Sequence, residues 1–356
     1  MRKCAEVEKH MQTSVLFLGG PGNISDSTIG YFLQKGVPVA AIKRTQGGLM
    51  GYEGKIRMYY GDRDQLEVLL HALRDFQPDI LIDCTCFDLA QAATVACALR
   101  IAPVRRFLFI STADVYGYPL SRLPMGEADS WRTPNDDYAE KKKAIEAFYR
   151  EALAGTTVGY TIIRPGYSLG KTFCMGAFGR DRGIHLIARI RQGLPVYSPG
   201  DGTTLIDAGA AYNTGRMIAR ICEDNGTIGE DYNCANNQAI TYDEYLLSFG
   251  EALGKPVHIV HIPTDFMFSL GRREVAESPL GSLTQFHLYF SVEKFRRRFP
   301  DFCWEYSIAD AVRDYAAYQE SLGNFKAVDE LRFEDRIIPL WQGAMKELKI
   351  NINETI

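Results

Sequence analysis

Tyr138-Ala139-Glu140-Lys141-Lys142 sets a phenol and an ammonium four residues apart at the start of a run that reads as a helix. At that spacing the two side chains share one helix face. A cation held there stabilises a phenolate, so Tyr138 is expected to titrate below the ~10 of free tyrosine and to serve as acid or base near neutrality. Lys141 points about 100° away around the helix and is not part of the pair. Thr112 follows the apolar run 107–110. Its hydroxyl, at a strand end, can hydrogen-bond the same substrate oxygen that Tyr138 serves. The three together point to proton transfer at an alcohol or a carbonyl.

A second constellation is Gly19-Gly20-Pro21-Gly22-Asn23-Ile24-Ser25, spaced GxxGxxS between an apolar strand and a helix. Glycine at the turn permits a positive φ, and Gly22 lets a pyrophosphate approach the backbone. The helix that opens at Asn23 and Ile24 offers N–H groups and a positive dipole end to phosphates. Ser25 takes the place of the last glycine and is small enough to keep helix and strand close. The second strand ends in Lys43 and Arg44, where a basic residue accommodates a ribose 2′-phosphate and an acidic one a 2′-hydroxyl. That favours NADP over NAD, with both left open. Asp62 is a candidate partner for the adenine amino group or a plain turn aspartate. No metal site is expected. His185, His258 and His261 lack ligand spacing, and the Cys84/Cys86 pair has no second pair or nearby histidine.

These residues need a scaffold, and the chain supplies one by alternation. Apolar strands are expected at 14–18, 37–42, 56–60, 80–82, 106–111 and 159–164. Helices are expected from Ile24 up to Gly36 and over 65–76, 88–100 and 138–151. Strands alternating with helices specify an α/β, Rossmann-type, doubly wound parallel sheet covered on both faces. Nearly unbroken apolar strands agree, because a central parallel strand is buried on both sides. Residues 14–165 form the expected dinucleotide-binding domain, with later contributions near 203–235. Residues 166–323, richer in Gly and Pro, form a smaller interleaved substrate-binding region. Residues 1–13 read as an extension and 324–356 as a charged, partly helical tail.

Composition removes several classes. Lys+Arg 40 against Asp+Glu 44 gives a net charge of −4, which argues against a general grip on nucleic acid or anionic lipid. The apolar runs fall far short of the ~20 residues of a membrane span, and 1–12 lacks the apolar stretch of a signal peptide. The eight cysteines read as reduced thiols of a cytoplasmic protein.

The glycine loop, Gly61-Asp62-Arg63-Asp64, Ser111–Gly117, Tyr138 with Lys142, and Arg164-Pro165-Gly166 resemble the extended short-chain dehydrogenase/reductase family of NAD(P)-dependent epimerases and dehydratases of nucleotide sugars. Pro199-Gly200-Asp201-Gly202-Thr203 and Tyr232-Asn233-Cys234-Ala235 follow its later pattern, so the resemblance runs from about Ser14 to Tyr318. It implies Tyr138 as catalytic acid/base, Lys142 as the group that lowers its pKa and holds the nicotinamide ribose, and Thr112 at the Ser/Thr position. Dehydratases of the family carry carboxylates one and two residues after the threonine; here those positions are Ala113 and Asp114. Asp114 is therefore either a second acid/base or a capping aspartate. Gly166-Tyr167-Ser168 stands where many relatives have a substrate-binding asparagine.

The activity so implied is redox chemistry on a sugar or nucleotide sugar through a keto intermediate. The alternatives are an NADP-dependent carbonyl reductase of specialised metabolism and, in another class, a noncatalytic RNA-binding or regulatory protein. The run Lys294-Phe295-Arg296-Arg297-Arg298 is a solvated helix face or a contact for substrate phosphate. A homodimer is expected, pairing 88–100 and 138–151 across a two-fold axis through Ala90, Ala93, Val95, Ala96, Ile145, Phe148 and Tyr149.

Overall fold

The computed structural model describes residues 13–176, 178, 183–326 and 332–355. All but the last residue of the expected N-terminal extension therefore lies outside the described residues.

The first half alternates apart from the consecutive strands β2 and β3: β1 (Val15–Leu18), α1 (Ser25–Gln34), β2 (Val39–Lys43), β3 (Arg57–Tyr60), α2 (Leu66–Phe76), β4 (Ile80–Asp83), α3 (Leu89–Ile101), β5 (Arg106–Ile110), α4 (Asp137–Ala152) and β6 (Gly159–Pro165). Short strands then alternate with helices: β7 (Tyr167–Leu169), α5 (Ile184–Arg191), β8 (Val196–Pro199), β9 (Leu205–Ile206), β10 (Ala208–Ala210), α6 (Ala211–Glu223), β11 (Asp231–Cys234), β12 (Ile240–Thr241), α7 (Tyr242–Leu253) and β13 (Ile259–Ile262). Five further helices follow: α8 (Thr264–Ser269), α9 (Arg273–Ala276), α10 (Glu293–Arg298), α11 (Ile308–Ser321) and α12 (Phe333–Thr355).

Seven strands join in the order β11-β6-β5-β4-β1-β2-β3, every neighbour pair parallel. This is the doubly wound α/β sheet that the alternation specifies. Side chains of successive strand residues point to opposite faces. Val15 and Phe17 pack with Ile29 and Phe32 of α1 and with Met217 and Ile221 of α6. Leu16 and Leu18 pack with Leu69 and Leu73 of α2, Val95 and Leu99 of α3, and Ile145 and Tyr149 of α4. The sheet is thus sandwiched between two apolar layers, and the carboxyl ends of β1, β4 and β5 open on one edge.

Sequence order and spatial order part company after β6. α6 packs on α1, and β11 adds to the first sheet beside β6. The intervening strands form three two-stranded sheets: β7 with β10, β9 with β12 and β8 with β13. Two differences from expectation bear on the site. β4 runs on to Asp83, whose carboxyl is fully buried. The segment expected to be an acidic turn sends Arg63 inward to meet that carboxyl.

The expected dimer face also divides. Val95, Ala96, Ile145 and Tyr149 are buried in the chain's own core, because α3 and α4 pack on the sheet through them. Ala90 and Ala93 are exposed and Phe148 is half-buried, with Cys97 and Ile101 continuing the exposed stripe of α3.

Candidate active site

The site lies where β5 ends and α4 begins. A buried strand delivers Ser111 and Thr112 to the sheet edge, and the chain turns at once into a short 3-10 helix. Thr112 caps that turn, its hydroxyl oxygen accepting the Asp114 N–H at 3.2 Å. α4 is capped in turn by Asp136, whose carboxylate accepts the Ala139 N–H at 2.8 Å. The cap fixes where the helix starts, and so puts Tyr138 in its first turn and Lys142 one turn further in.

Lys142 is 2% exposed. Its ammonium donates to the Ile110 carbonyl at 2.9 Å and lies 4.9 Å from the Phe109 ring centre, 5.1 Å from Phe87 and 5.8 Å from Tyr138. Burial pulls it down to about 8, with the Asp83 carboxylate opposing. Tyr138 is 42% exposed. Burial pushes the phenol above its ordinary value, the Asp114 carboxylate adds to the rise, and the Thr112 hydroxyl works the other way. The lowered tyrosine pKa expected from the i, i+4 pairing is therefore not found; the shift is upward. The ammonium is engaged with a backbone carbonyl and aromatic faces, and the phenol stays neutral.

Asp114 is neither solvated nor merely a cap. It accepts hydrogen bonds from the hydroxyls of Thr112 at 3.0 Å, Tyr118 at 2.7 Å and Tyr167 at 2.6 Å. Burial still pushes its carboxyl up, against those three bonds. Neither Tyr118 nor Tyr167 stands out in the sequence as a site residue. Tyr167 could have been found from its place in the departure after Arg164-Pro165; nothing in the sequence marks Tyr118. Arg63 and Asp83 are the other missed pair, an ion pair to which Tyr149 also donates at 3.2 Å. A side chain that folds back from a loop leaves no spacing signal.

The glycine loop has the features a dinucleotide needs. Gly19 and Gly20 have φ of +80° and +124°. A Cβ on Gly19 would stand 2.2 Å from Thr85 Cγ2, so no side chain fits there. A Cβ on Gly22 would meet only Ser25 Oγ, at 3.6 Å, which leaves that face of the loop open. The Ser25 hydroxyl accepts the Gly22 N–H at 2.9 Å and closes the loop, a task beyond being small. The Asn23 side chain donates to the Ser168 carbonyl at 2.6 Å and ties the loop to β7. What remains for a phosphate is the backbone of Asn23 and Ile24 at the opening of α1. Lys43 donates to the carbonyls of Gly47 and Gly48 at 2.5 and 3.1 Å, while Arg44 is exposed beside it. Asp62 accepts the Asp64 N–H at 3.1 Å, which makes it a turn aspartate at least.

The basic run belongs elsewhere. Lys294 pairs with Glu230, Arg297 with Glu293 and Arg298 with Asp224. They line a surface cavity of about 1020 Å³ at the amino-terminal end of β11, away from Tyr138. A role in holding substrate phosphate at the site is thereby removed. Among the described residues no helix is long and apolar enough to cross a membrane, and no group of three or more His, Cys, Asp or Glu is placed to hold a metal ion.

The sequence profile of the NAD dependent epimerase/dehydratase family matches residues 15–235. The 2′-dehydrokanamycin reductase of Streptomyces kanamyceticus is 26% identical over 254 residues, 71% of this chain and 70% of that protein. A UDP-glucose 4-epimerase of Halalkalibacterium halodurans is 24% identical over 167 residues, covering 42% of this chain and 49% of that one. Among solved structures, the UDP-glucose 4-epimerase of Bifidobacterium longum in complex with NAD+ and UDP superposes with a TM-score of 0.70 at 18% identity, over 88% of this chain and all of that one. The dTDP-glucose 4,6-dehydratase of Bacillus anthracis in complex with NAD gives 0.68 at 16% identity, over 88% and 98%. At these identities the structural likeness speaks for the fold.

Proposed function

The chain belongs to the NAD dependent epimerase/dehydratase family, an enzyme family, and from that premise we propose that it oxidises and reduces a secondary alcohol of a sugar-type substrate by way of the ketone. The observation that carries this is the convergence of Thr112, Tyr138 and Lys142 at the carboxyl end of β5, beside a glycine loop with one open face.

Gly22 and the backbone of Asn23 and Ile24 would take the pyrophosphate of the dinucleotide, Lys142 its nicotinamide ribose, Asp62 the adenine, and Arg44 a 2′-phosphate. The last assignment favours NADP, because Lys43 is already tied to its own loop. When bound, the nicotinamide supplies or accepts the hydride. Everything else falls to the chain. A neutral Tyr138 enters as acid and gives its proton to the carbonyl oxygen as the ketone is reduced. In the reverse direction the phenolate takes the proton back from the hydroxyl. Thr112, whose own proton is directed at Asp114, accepts from the substrate hydroxyl in that direction and so orients it toward the phenol.

Dehydration would need a carboxyl free to protonate a leaving hydroxyl. Position 113 is alanine, and Asp114 is occupied as an acceptor by three hydroxyls. The choice between net reduction and epimerisation turns on whether cofactor leaves after each turnover. The protein should be purified without added nucleotide, and its bound dinucleotide identified by mass and absorbance. A reductase comes away mostly empty and exchanges NADPH freely; an epimerase retains its cofactor through gel filtration. A protein that binds neither NAD nor NADP at millimolar concentration has put the fold to another use.

We also infer a homodimer through the exposed stripe Ala90, Ala93, Cys97 and Ile101 with Phe148 of α4. Small side chains on one helix let a second helix pair approach closely.

A further inference from the structure

Asp114, Tyr118 and Tyr167 form a device that the redox reading leaves unused. Each tyrosine has one hydroxyl proton, and each directs it at the same oxygen of Asp114, Oδ1. Thr112 directs its proton at the other oxygen. A hydroxyl whose proton is committed in this way can only accept from anything else that approaches it. The three oxygens around Asp114 therefore present lone pairs, backed by a carboxylate. No Lys, Arg or His among the described residues pairs with it, and the further charge that bears on it is Asp136, of the same sign. Isolating an anion from water without a cation is costly, and a ligand that brings the cation relieves the cost.

Tyr167 also lines a cavity of about 310 Å³, whose walls include Phe173, Met175, Pro279 and Leu283. Its one charged side chain among the described lining residues is Glu277, which Arg273 holds at 2.7 Å. The stack of Tyr118 on Phe286, rings 6.1 Å apart and 15° from parallel, fixes the second tyrosine.

We propose that Tyr118, Asp114 and Tyr167 make a subsite for a protonated amine, so that the substrate is an amino-bearing sugar or cyclitol whose ammonium lies beside the reacting carbon. The proposal rests on the redox reading for the identity of the reacting carbon, and on the hydroxyl geometry alone for the amine. An ammonium carries three donors and no acceptor, which complements tyrosine oxygens whose own protons are committed to Asp114. A phosphate or carboxylate meets lone pairs and like charge there. A neutral hydroxyl can bind, without the charge-assisted gain.

The test is calorimetric, on protein first titrated with NADPH. Four probes are compared: methyl glucosaminide, its N-acetyl derivative, methyl glucoside and UDP-glucose. The amine should bind at least about tenfold more tightly than the N-acetyl and neutral glycosides, the scale of a charged hydrogen bond over a neutral one. UDP-glucose should gain nothing over methyl glucoside. Asp114→Asn should remove the advantage of the amine over methyl glucoside. Should Asp114→Asn fail to fold, Tyr167→Phe gives the same answer through the loss of one acceptor, as a partial drop in the advantage. Equal binding of amine and N-acetyl probes, an advantage that survives Asp114→Asn or Tyr167→Phe, preference for UDP-glucose, or no binding of the amine each overturns the subsite. Failure of NADPH to bind while the amine preference persists overturns the redox reading instead and leaves the subsite standing.

Discussion

Tyr138 and Lys142 are one helical turn apart, yet they answer to different forces. Tyr138→Phe removes one oxygen and keeps the ring, so folding and cofactor affinity should hold while turnover drops by roughly 10²–10⁴, the range of a positioned acid or base. Full activity of that variant on the true substrate would disprove the assigned role. Lys142 carries the pH dependence. In the folded protein burial lowers it from 10.5 to about 8. Below about 8 the ammonium is protonated in both folded and unfolded chains, and the burial penalty is present in full. Between about 8 and 10.5 the unfolded chain still holds the proton and the folded chain has released it, so stability rises with pH across that window. Cofactor affinity runs the other way, because the charged ammonium is a stronger donor to the ribose than the neutral amine. The dissociation constant for NADPH, read by fluorescence, should be flat from pH 6.5 to 7.5 and should weaken above about 8. In Lys142→Arg, which keeps its charge, the weakening should vanish. A flat wild-type profile to pH 9.5 removes Lys142 from cofactor binding.

At the scale of elements, two junctions decide whether those side chains arrive. The first is the turn from β1 into α1. Gly19→Ala would put a methyl 2.2 Å from Thr85 and hold alanine at a φ of +80°. Strain of this kind costs of order 1–3 kcal/mol. The loop should shift, and NADPH affinity should fall at least about tenfold with the circular dichroism spectrum unchanged. The second junction is Arg164 at the end of β6, fully buried, which donates to Glu146 of α4 at 2.7 Å and to Asp231 of β11 at 2.8 Å. It also donates to the Tyr116 hydroxyl at 3.1 Å, and Tyr116 in turn donates to Asn233 of β11. This arginine stitches the catalytic helix to two strands. Glu146→Gln keeps the shape and deletes one partner charge. Because Asp231 still pairs with the cation, the cost should stay below the roughly 3–5 kcal/mol of a fully unpaired buried charge, and a lowered urea midpoint at unchanged slope would report it.

At the scale of the molecule, the interleaving of the two regions puts Tyr167 within reach of the seven-stranded sheet. β7 pairs with β10, and Tyr167 then returns its hydroxyl to Asp114 on the β5 side. The outer surface carries the remaining prediction. Sedimentation at micromolar concentration should give twice the 40.0 kDa of one chain for the wild type, and one chain for Ala93→Arg. A wild type at 40.0 kDa defeats the dimer.

The strand–helix rhythm, the glycine loop and the Tyr138/Lys142 pair were legible because each is a short-range pattern. Burial on both faces makes a parallel strand apolar throughout, and a helix repeats every 3.6 residues, so local chemistry reports local geometry. What the tertiary structure alone decided is where charge and protons sit. The i, i+4 spacing predicts a depressed phenol, whereas the fold turns the ammonium to the Ile110 carbonyl and buries the phenol beside Asp114. Asp114 reads in sequence as either a second acid/base or a capping aspartate; the fold brings Tyr118 and Tyr167 to it from 4 and 53 residues away and makes it an acceptor. The basic run near 294 suggests phosphate, and the fold neutralises it against Glu230, Glu293 and Asp224 at another edge. Periodicity is written along the chain, but a pKa depends on desolvation and on charges that only the packed chain brings together.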